Sequence, residues 1–359
     1  MSRITRLTRS LRSSAVTLTG ALLTIGLAAT ACSTEDSSDS EDTLNIRLSW
    51  QKDAGSAGAF MADQEGFYKD AGFTNVNLIS GGQSAPPVAS DVIQGNALWG
   101  IDGPDYAAEA TKDGGPVLTM VGCQFQETPI AFLSRKDSGI GAAKDLIGKR
   151  IGVQDANQTV IDAILRTNHI DPSQVTIVPW QGDATTLVGG EVDAVLAFGA
   201  EYTVALDNAG FAYRRDLVSN FGLHNMTYCY EVLQSSIQNN RDKVKAALTA
   251  EIRGWHAAMT DPNKAVDYTM NIYGKDLGLD EKTQTAVLCS NFEIMVTDET
   301  RQNGIFTMSP ENIDRNMESL EQSGLTNVDR NDLFDNSLLE EIYTENPDLK
   351  TTPEINCGS

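Results

Sequence analysis

Short β-type runs alternate with helical periodicity from residue 44 onward, and the alternation stops near residue 136 and restarts with a second set. In the first set "LNIRLSW" (44 to 50) reads as a strand, "GSAGAFMADQEGFYKDAG" as a helix closed near Gly72, and "VNLISGG" as a strand ending in a Gly-Gly turn. A proline-led helix in "PPVASDVIQGNA", a short strand in "WGID", a helix from Pro104, and the strands "VLTMVGC" and "IAFLSR" follow. The second set is strand "RIGVQ", helix 157–168, strand "VTIVPW", a helix near 183–189, strand "VDAVLAF" and helix 200–209. Strands separated by helices form largely parallel sheets with covered faces, because each crossover helix packs back on the sheet it leaves.

After the second set "YCYEVLQSS" reads as a return strand, so residues 136–225 form a second lobe inserted into a first made of 44–135 and 226–359. Val244, Leu248, Ile252, Trp255 and Met259 then recur at spacings of four, four, three and four, the stripe of one amphipathic helix. Further helices are expected at about 262–272, 280–290, 310–323 and 336–343. Two α/β lobes that exchange the chain across a hinge bring strand ends to both sides of one cleft, where ligands of open α/β sheets bind.

The first 31 residues stand outside this fold. Arg3, Arg6, Arg9 and Arg12, the apolar "AVTLTGALLTIGLAA" and the small residues before Cys32 are the three parts of an export signal. "LAATAC" followed by "STEDSSDSEDT" resembles a bacterial lipobox and tether, with Leu27 five residues before the cysteine instead of three. The expectation is lipidation at Cys32, a disordered acidic tether over 32–43, and a body held at the outer face of a bacterial cell membrane through that lipid alone. Removing the four arginines takes the formal charge from −22 to −26, which excludes a phosphate backbone as partner.

Cys123, Cys229, Cys289 and Cys357 remain, and four cysteines in an exported chain allow two disulfides in three pairings. None has zinc spacing, so no metal is expected, and no cofactor motif is found. GxSxG, HExxH, a P-loop and GxGxxG are all missing, and His169, His224 and His256 are scattered. The expectation is a binding protein, with no catalytic residue.

Candidate contacts lie at the junctions of strands and helices. Gly81 and Gly82 in "SGGQSAPP" offer close backbone approach, while Asp155, Asn157 and Thr159 in "VQDANQT" serve either as caps or as ligand contacts. Trp50 and Trp180 end strands, and Trp99 sits next to Gly100; beside glycine or polar residues such a Trp can pack a flat ligand, although a strand Trp is commonly core. Asp102, Gln124, Gln126, Glu127 and Thr128 lie near the first crossover, with donors and acceptors suited to the edge of a nitrogen heterocycle.

"LSWQKDAGSAGAFMADQEGFYKDAG", "IGKRIGVQDANQTVIDAIL" and "LVGGEVDAVLAFGAEYTVALDNAG" together resemble the solute-binding proteins of ABC importers, in the group that binds thiamine pyrimidine precursors, nitrate, sulfonate and taurine. The landmarks are Gly66, Phe67, Tyr68 and Lys69, the entry "DLIGKRIGV", and Gly190, Val192, Asp193 and Ala194. The resemblance implies a type II periplasmic-binding-protein-like fold, two lobes of mixed sheets covered by helices, a hinge and an interlobe cleft. It also implies a monomer that delivers a small molecule to a membrane permease. Trp50 matches an aromatic that pyrimidine binders of the family carry after the first strand.

On that basis the expected cargo is an aromatic nitrogen heterocycle, a thiamine pyrimidine precursor or a vitamin such as a flavin. The expected contacts are Trp50, Gly82, Trp99, Asp102, Gln124, Gln126 and Glu127 from the first lobe, and Asn157, Thr159, Trp180, Phe198 and Glu201 from the second. Anion binding of the sulfonate or nitrate kind, a lipid-anchored sensor or adhesion module, and a pyrimidine synthase are the competing readings. Against the last, the run of cysteines and the NHxP-like segment that mark the eukaryotic enzymes of this fold are missing. Cys123 and Cys229 flank the expected crossovers near 124–135 and 223–230 and are predicted to pair, leaving Cys289 to pin the tail through Cys357.

Overall fold

The computed structural model describes residues 43–82 and 84–358, so the export segment, Cys32 and nearly all of the acidic tether lie outside the described residues. The chain begins with β1 (Thr43–Arg47), α1 (Ala57–Gln64), α2 (Phe67–Asp70), β2 (Asn75–Ile79), α3 (Val88–Ile93), β3 (Trp99–Asp102), α4 (Pro104–Thr111) and β4 (Leu118–Phe125). It crosses into β5 (Ile130–Arg135), β6 (Arg150–Val153), α5 (Gln158–Thr167), β7 (Thr176–Pro179), α6 (Thr185–Val188), β8 (Ala194–Phe198), α7 (Thr203–Asn208) and β9 (Tyr213–Leu217). It returns through β10 (Thr227–Leu233) to α8 (Gln234–Asn239), α9 (Arg241–Thr260), α10 (Pro262–Tyr268) and α11 (Glu281–Met295). The last elements are α12 (Asp298–Asn303), α13 (Pro310–Gln322), α14 (Arg330–Leu333) and α15 (Ser337–Glu345).

The strands form two mixed sheets, β2-β1-β3-β10-β4 in lobe 1 and β7-β6-β8-β5-β9 in lobe 2. β10 runs antiparallel to both β3 and β4, and β5 antiparallel to both β8 and β9. "IAFLSR" therefore belongs to the second sheet, and the lobe boundary falls at 126–129 instead of 135. An apolar strand does not reveal which sheet it joins; its partners do. β9, "YRRDL", was not anticipated because its charges hide a strand that lies at a sheet edge. The single helix expected over 55–72 is broken at Gly66, whose φ of 81° lies in the left-handed region.

In lobe 1 the period-two pattern of β1 buries Leu44, Ile46 and Leu48 completely in the main core, while Arg47 points to the other face. Arg47 is buried there with its charge paired to Asp91 at 2.7 Å and a donor on the Pro86 carbonyl at 2.8 Å. The stripe read from the sequence is the buried face of α9: Val244, Leu248, Ile252, Trp255 and Met259 all have no exposed surface. Burying a side chain of this size stabilises by about 1.5–3 kcal/mol. α9 packs on α1 through glycines, since a Cβ on Gly254 would lie 2.1 Å from the Gly58 carbonyl oxygen.

Cys123 of β4 and Cys229 of β10 are opposite one another in the ladder and form one disulfide; Cys289 and Cys357 form the other. Both pairings are those expected. Asp193 accepts from the Arg150 backbone N–H at 2.8 Å and its guanidinium at 2.9 Å, tying the entry of β8 to the start of β6. No helix among the described residues is long and apolar enough to cross a membrane.

The lobes touch beyond the two crossovers. Arg215 of β9 reaches Ser290 and, at 2.9 Å, Glu293 of α11; Thr167 donates to Gln322 of α13 at 2.9 Å. Ala200, just past β8, is buried with the core of lobe 1.

Candidate functional site

The carboxyl ends of β1, β3 and β4 and the start of β10 meet the end of β8 at this contact. Tyr228 is its centre. The backbone there has φ of 52°, a conformation costly for a bulky side chain, and it sets the phenol between the lobes. Its ring lies 5.1 Å from that of Phe125 and 6.3 Å from that of Phe198 of lobe 2, and its hydroxyl bonds the Ser49 side chain. Ser49 is held by the next turn, because Gly81 approaches its carbonyl so closely that a Cβ would sit 2.4 Å away.

Carboxyl groups surround the phenol. Asp53 caps the short turn Ala54–Ser56 by accepting from the Gly55 N–H at 2.9 Å, and Asp102 ends β3 accepting from Gly103 at 2.9 Å. Burial, reinforced by the charge of Glu201 from lobe 2, raises Asp53 to about 7 against the opposing Gly55 hydrogen bond. Burial and Asp105 raise Asp102 to about 7, opposed by Gly103 and Arg47. Burial also raises Glu201, which keeps solvent access at the mouth of the cleft and is bonded to Tyr202. Burial first, then Asp53, Asp102 and Glu201, push the Tyr228 hydroxyl far above its usual range. Among the described residues, none of Asp53, Asp102 and Glu201 makes an ion pair. No group of three or more His, Cys, Asp or Glu among those residues is placed to hold a metal ion.

Of the sequence candidates, Asp102, Phe198 and Glu201 come together here. Trp50 stands at the rim, 37 % exposed, and its carbonyl accepts from Gly81. Gly82 adjoins it with φ of 130°. Asn157 donates to the Leu196 carbonyl at 3.3 Å, and Thr159 is exposed on α5.

Four candidates are corrected. Trp99 is fully buried, edge-on to Tyr230 in the core, and Trp180 is buried in lobe 2 with its indole N–H on the Asp183 carbonyl at 2.9 Å. Gln124 is buried and donates to the Tyr230 hydroxyl, which with Tyr68 serves the buried Glu251. Gln126 is consumed by the crossover, donating to the Cys123 carbonyl and accepting from Asn312. In each case the side chain falls on the core-facing side of its strand or has a protein partner. Glu127 faces His224 at 3.7 Å across the two crossovers, so it belongs to the hinge.

Asp53, Ser49 and Tyr228 were missed; Phe125 is fully buried and only backs Tyr228. Asp53 carried a legible signal as a cap in "QKDAGS"; the left-handed backbone of Tyr228 leaves none.

The fold and the cleft define a two-lobed binding-protein architecture. The aliphatic sulphonate-binding protein SsuA from Escherichia coli shares it, with a TM-score of 0.58 at 14 % identity, over 88 % of this chain and 91 % of that one. The nitrate-binding protein NrtA from Synechocystis PCC 6803 has a TM-score of 0.60 at 10 % identity, over 87 % and 91 %. Residues 53–265 match the model of the NMT1/THI5-like family, and the chain belongs to that family. A 4-amino-5-hydroxymethyl-2-methylpyrimidine phosphate synthase from Legionella pneumophila is 25 % identical over 137 residues, 38 % of this chain. The match spans 42 % of that relative's length.

Proposed function

We propose that the chain is the extracytoplasmic solute-binding component of an ABC importer and takes a small aromatic nitrogen heterocycle into the interlobe cleft. A thiamine pyrimidine precursor or a related vitamin such as a flavin is the cargo favoured. The observation that carries this reading is Tyr228, backed by buried Phe125, facing Phe198 of the other lobe and ringed by Asp53, Asp102 and Glu201. Aromatic faces pack a flat ring, and carboxylates accept from ring N–H and amino groups. A sulfonate or nitrate would meet like charge there without a paired cation. The lobes turn about 126–129 and 224–226 and close on the solute, which shifts the equilibrium only through its greater affinity for the closed state. A lipid on Cys32 holds the protein beside its permease.

A thermal-shift panel of pyrimidines, thiamine, flavins, purines, nitrate and sulfonates tests this reading. A ligand at a hundred times its Kd adds about 2.7 kcal/mol, a rise in Tm of roughly 4 °C for a chain of this size. A rise with a heterocycle is expected, and a rise only with sulfonates or nitrate would overturn the cargo. The Legionella relative favours a second reading, pyrimidine synthesis. Recovery of every heterocycle unchanged after incubation with the protein is expected, and a new pyrimidine product would favour the enzyme.

A further inference from the structure

Asp53 belongs to lobe 1 and lies beside Tyr228, since a Cβ on Gly55 would sit 2.9 Å from the Asp53 carboxyl and 3.4 Å from the Tyr228 ring; Glu201 approaches the same phenol from lobe 2, and neither carboxyl is paired to a basic side chain among the described residues. Asp102 adds a third from the end of β3. Its one basic influence, Arg47, is already bonded to Asp91 and to the Leu48 and Pro86 carbonyls. Behind β3 lies Glu231, fully buried, in register with Gly100, with neither carboxyl oxygen hydrogen-bonded and with Asp102 as the charge that presses on it. Burial holds a proton on Glu231 up to about pH 8, so the charge facing the cleft is that of Asp53, Asp102 and Glu201. The acids stand against the aromatic faces of Tyr228 and Phe198, with buried Phe125 packed behind Tyr228, and such faces attract a cation.

Resting on the importer reading and narrowing it, we propose that the cleft takes its heterocycle as a cation. The ligand is a flat amidinium or quaternised nitrogen ring that packs on Tyr228, and its positive charge bridges Asp53 of one lobe and Glu201 of the other. Repulsion between these carboxylates opposes closure when the cleft holds no cation or a neutral solute. A positive ligand turns the same pair into an attraction, which is the differential affinity a closing ligand needs. Glu201 is then the specificity-determining residue on the moving lobe, and it contributes only when the lobes meet.

Calorimetric titration of the purified protein at pH 8 and low salt, with matched pairs differing in charge, tests the proposal. The pairs are 1-methylnicotinamide with nicotinamide and benzamidine with benzamide. Thiamine, neutral 4-amino-5-hydroxymethyl-2-methylpyrimidine and ethanesulfonate complete the set. The charged member of at least one pair, or thiamine, is expected to bind about tenfold or more tighter than its neutral counterpart. Glu201→Gln, at an exposed position that leaves the fold intact, is expected to weaken the cation by about ten- to hundredfold and to leave neutral ligands within about threefold. Asp53→Asn should act in the same direction.

Tighter binding of the neutral pyrimidine would overturn the cationic preference and leave the importer reading standing. Binding of ethanesulfonate alone would overturn both. Equal cation affinity in Glu201→Gln and the unaltered protein, or no binding by any charged probe, would overturn the proposal.

Discussion

Replacing Glu231 by Gln should flatten the dependence of stability on pH. The carboxyl has no exposed surface and no hydrogen-bond partner, and burial followed by the charge of Asp102 raises it from 4.5 to about 8. Between those values the folded protein holds a proton that the unfolded chain has released. Its contribution is therefore fully present below pH 4.5 and is lost as pH rises towards 8, at up to about 1.4 kcal/mol per pH unit. From pH 5 to pH 8 that amounts to roughly 2–4 kcal/mol. Glutamine keeps the shape and cannot ionise, while Asp53, Asp102 and Glu251 contribute their own slopes to both proteins and largely cancel in the difference. Urea denaturation at pH 5, 6, 7 and 8 in constant ionic strength measures the difference directly. The variant should match the unaltered protein within about 1 kcal/mol at pH 5 and exceed it by roughly 2–4 kcal/mol at pH 8. Parallel pH profiles, or a variant less stable at pH 8, would refute the assignment of an uncompensated buried carboxyl.

Other substitutions separate core from site. Trp99→Ala and Trp180→Ala, both in buried cores, should each cost about 3–5 kcal/mol in chemical denaturation, whereas Trp50→Ala at the rim should stay within about 0.5 kcal/mol and weaken heterocycle binding. Gly254→Val forces a Cβ onto the Gly58 carbonyl and should lower stability by about 1–3 kcal/mol or more, seen as a fall in Tm; an unchanged Tm would contradict the glycine crossing. Cys123→Ala with Cys229→Ala opens a link across a separation of 106 residues and should cost more than loss of Cys289–Cys357, which spans 68. The chain-entropy difference is only a few tenths of a kcal/mol, from about 4.7 kcal/mol for loops near 100 residues. The larger contrast comes from the full burial of Cys123 and Cys229, and equal midpoints for the two double variants would contradict it.

Much of the architecture is written in local patterns. The restart of the strand and helix rhythm marks two lobes, the stripe from Val244 to Met259 marks the packed face of α9, and the cysteine placement gives both disulfides. Strand partnership is not local, which is why β5 was placed one sheet too early and β9, with Arg214, Arg215 and Asp216, was overlooked. The site was half legible. Asp102, Phe198 and Glu201 sit at strand ends that the rhythm locates. Trp99 and Trp180 resemble them in sequence, but one position along a strand turns a side chain from cleft to core. Tyr228 is placed by a backbone conformation that no composition reveals.

A heterocycle held on Tyr228 between Asp53 and Glu201 is open to direct observation. A crystal structure of the protein saturated with the heterocycle giving the largest thermal shift tests it most directly. Ring density is expected against Tyr228, with its nitrogen edge on Asp53 of one lobe and Glu201 of the other. Density elsewhere on the surface, or a ligand held by one lobe with Glu201 turned to solvent, would contradict it.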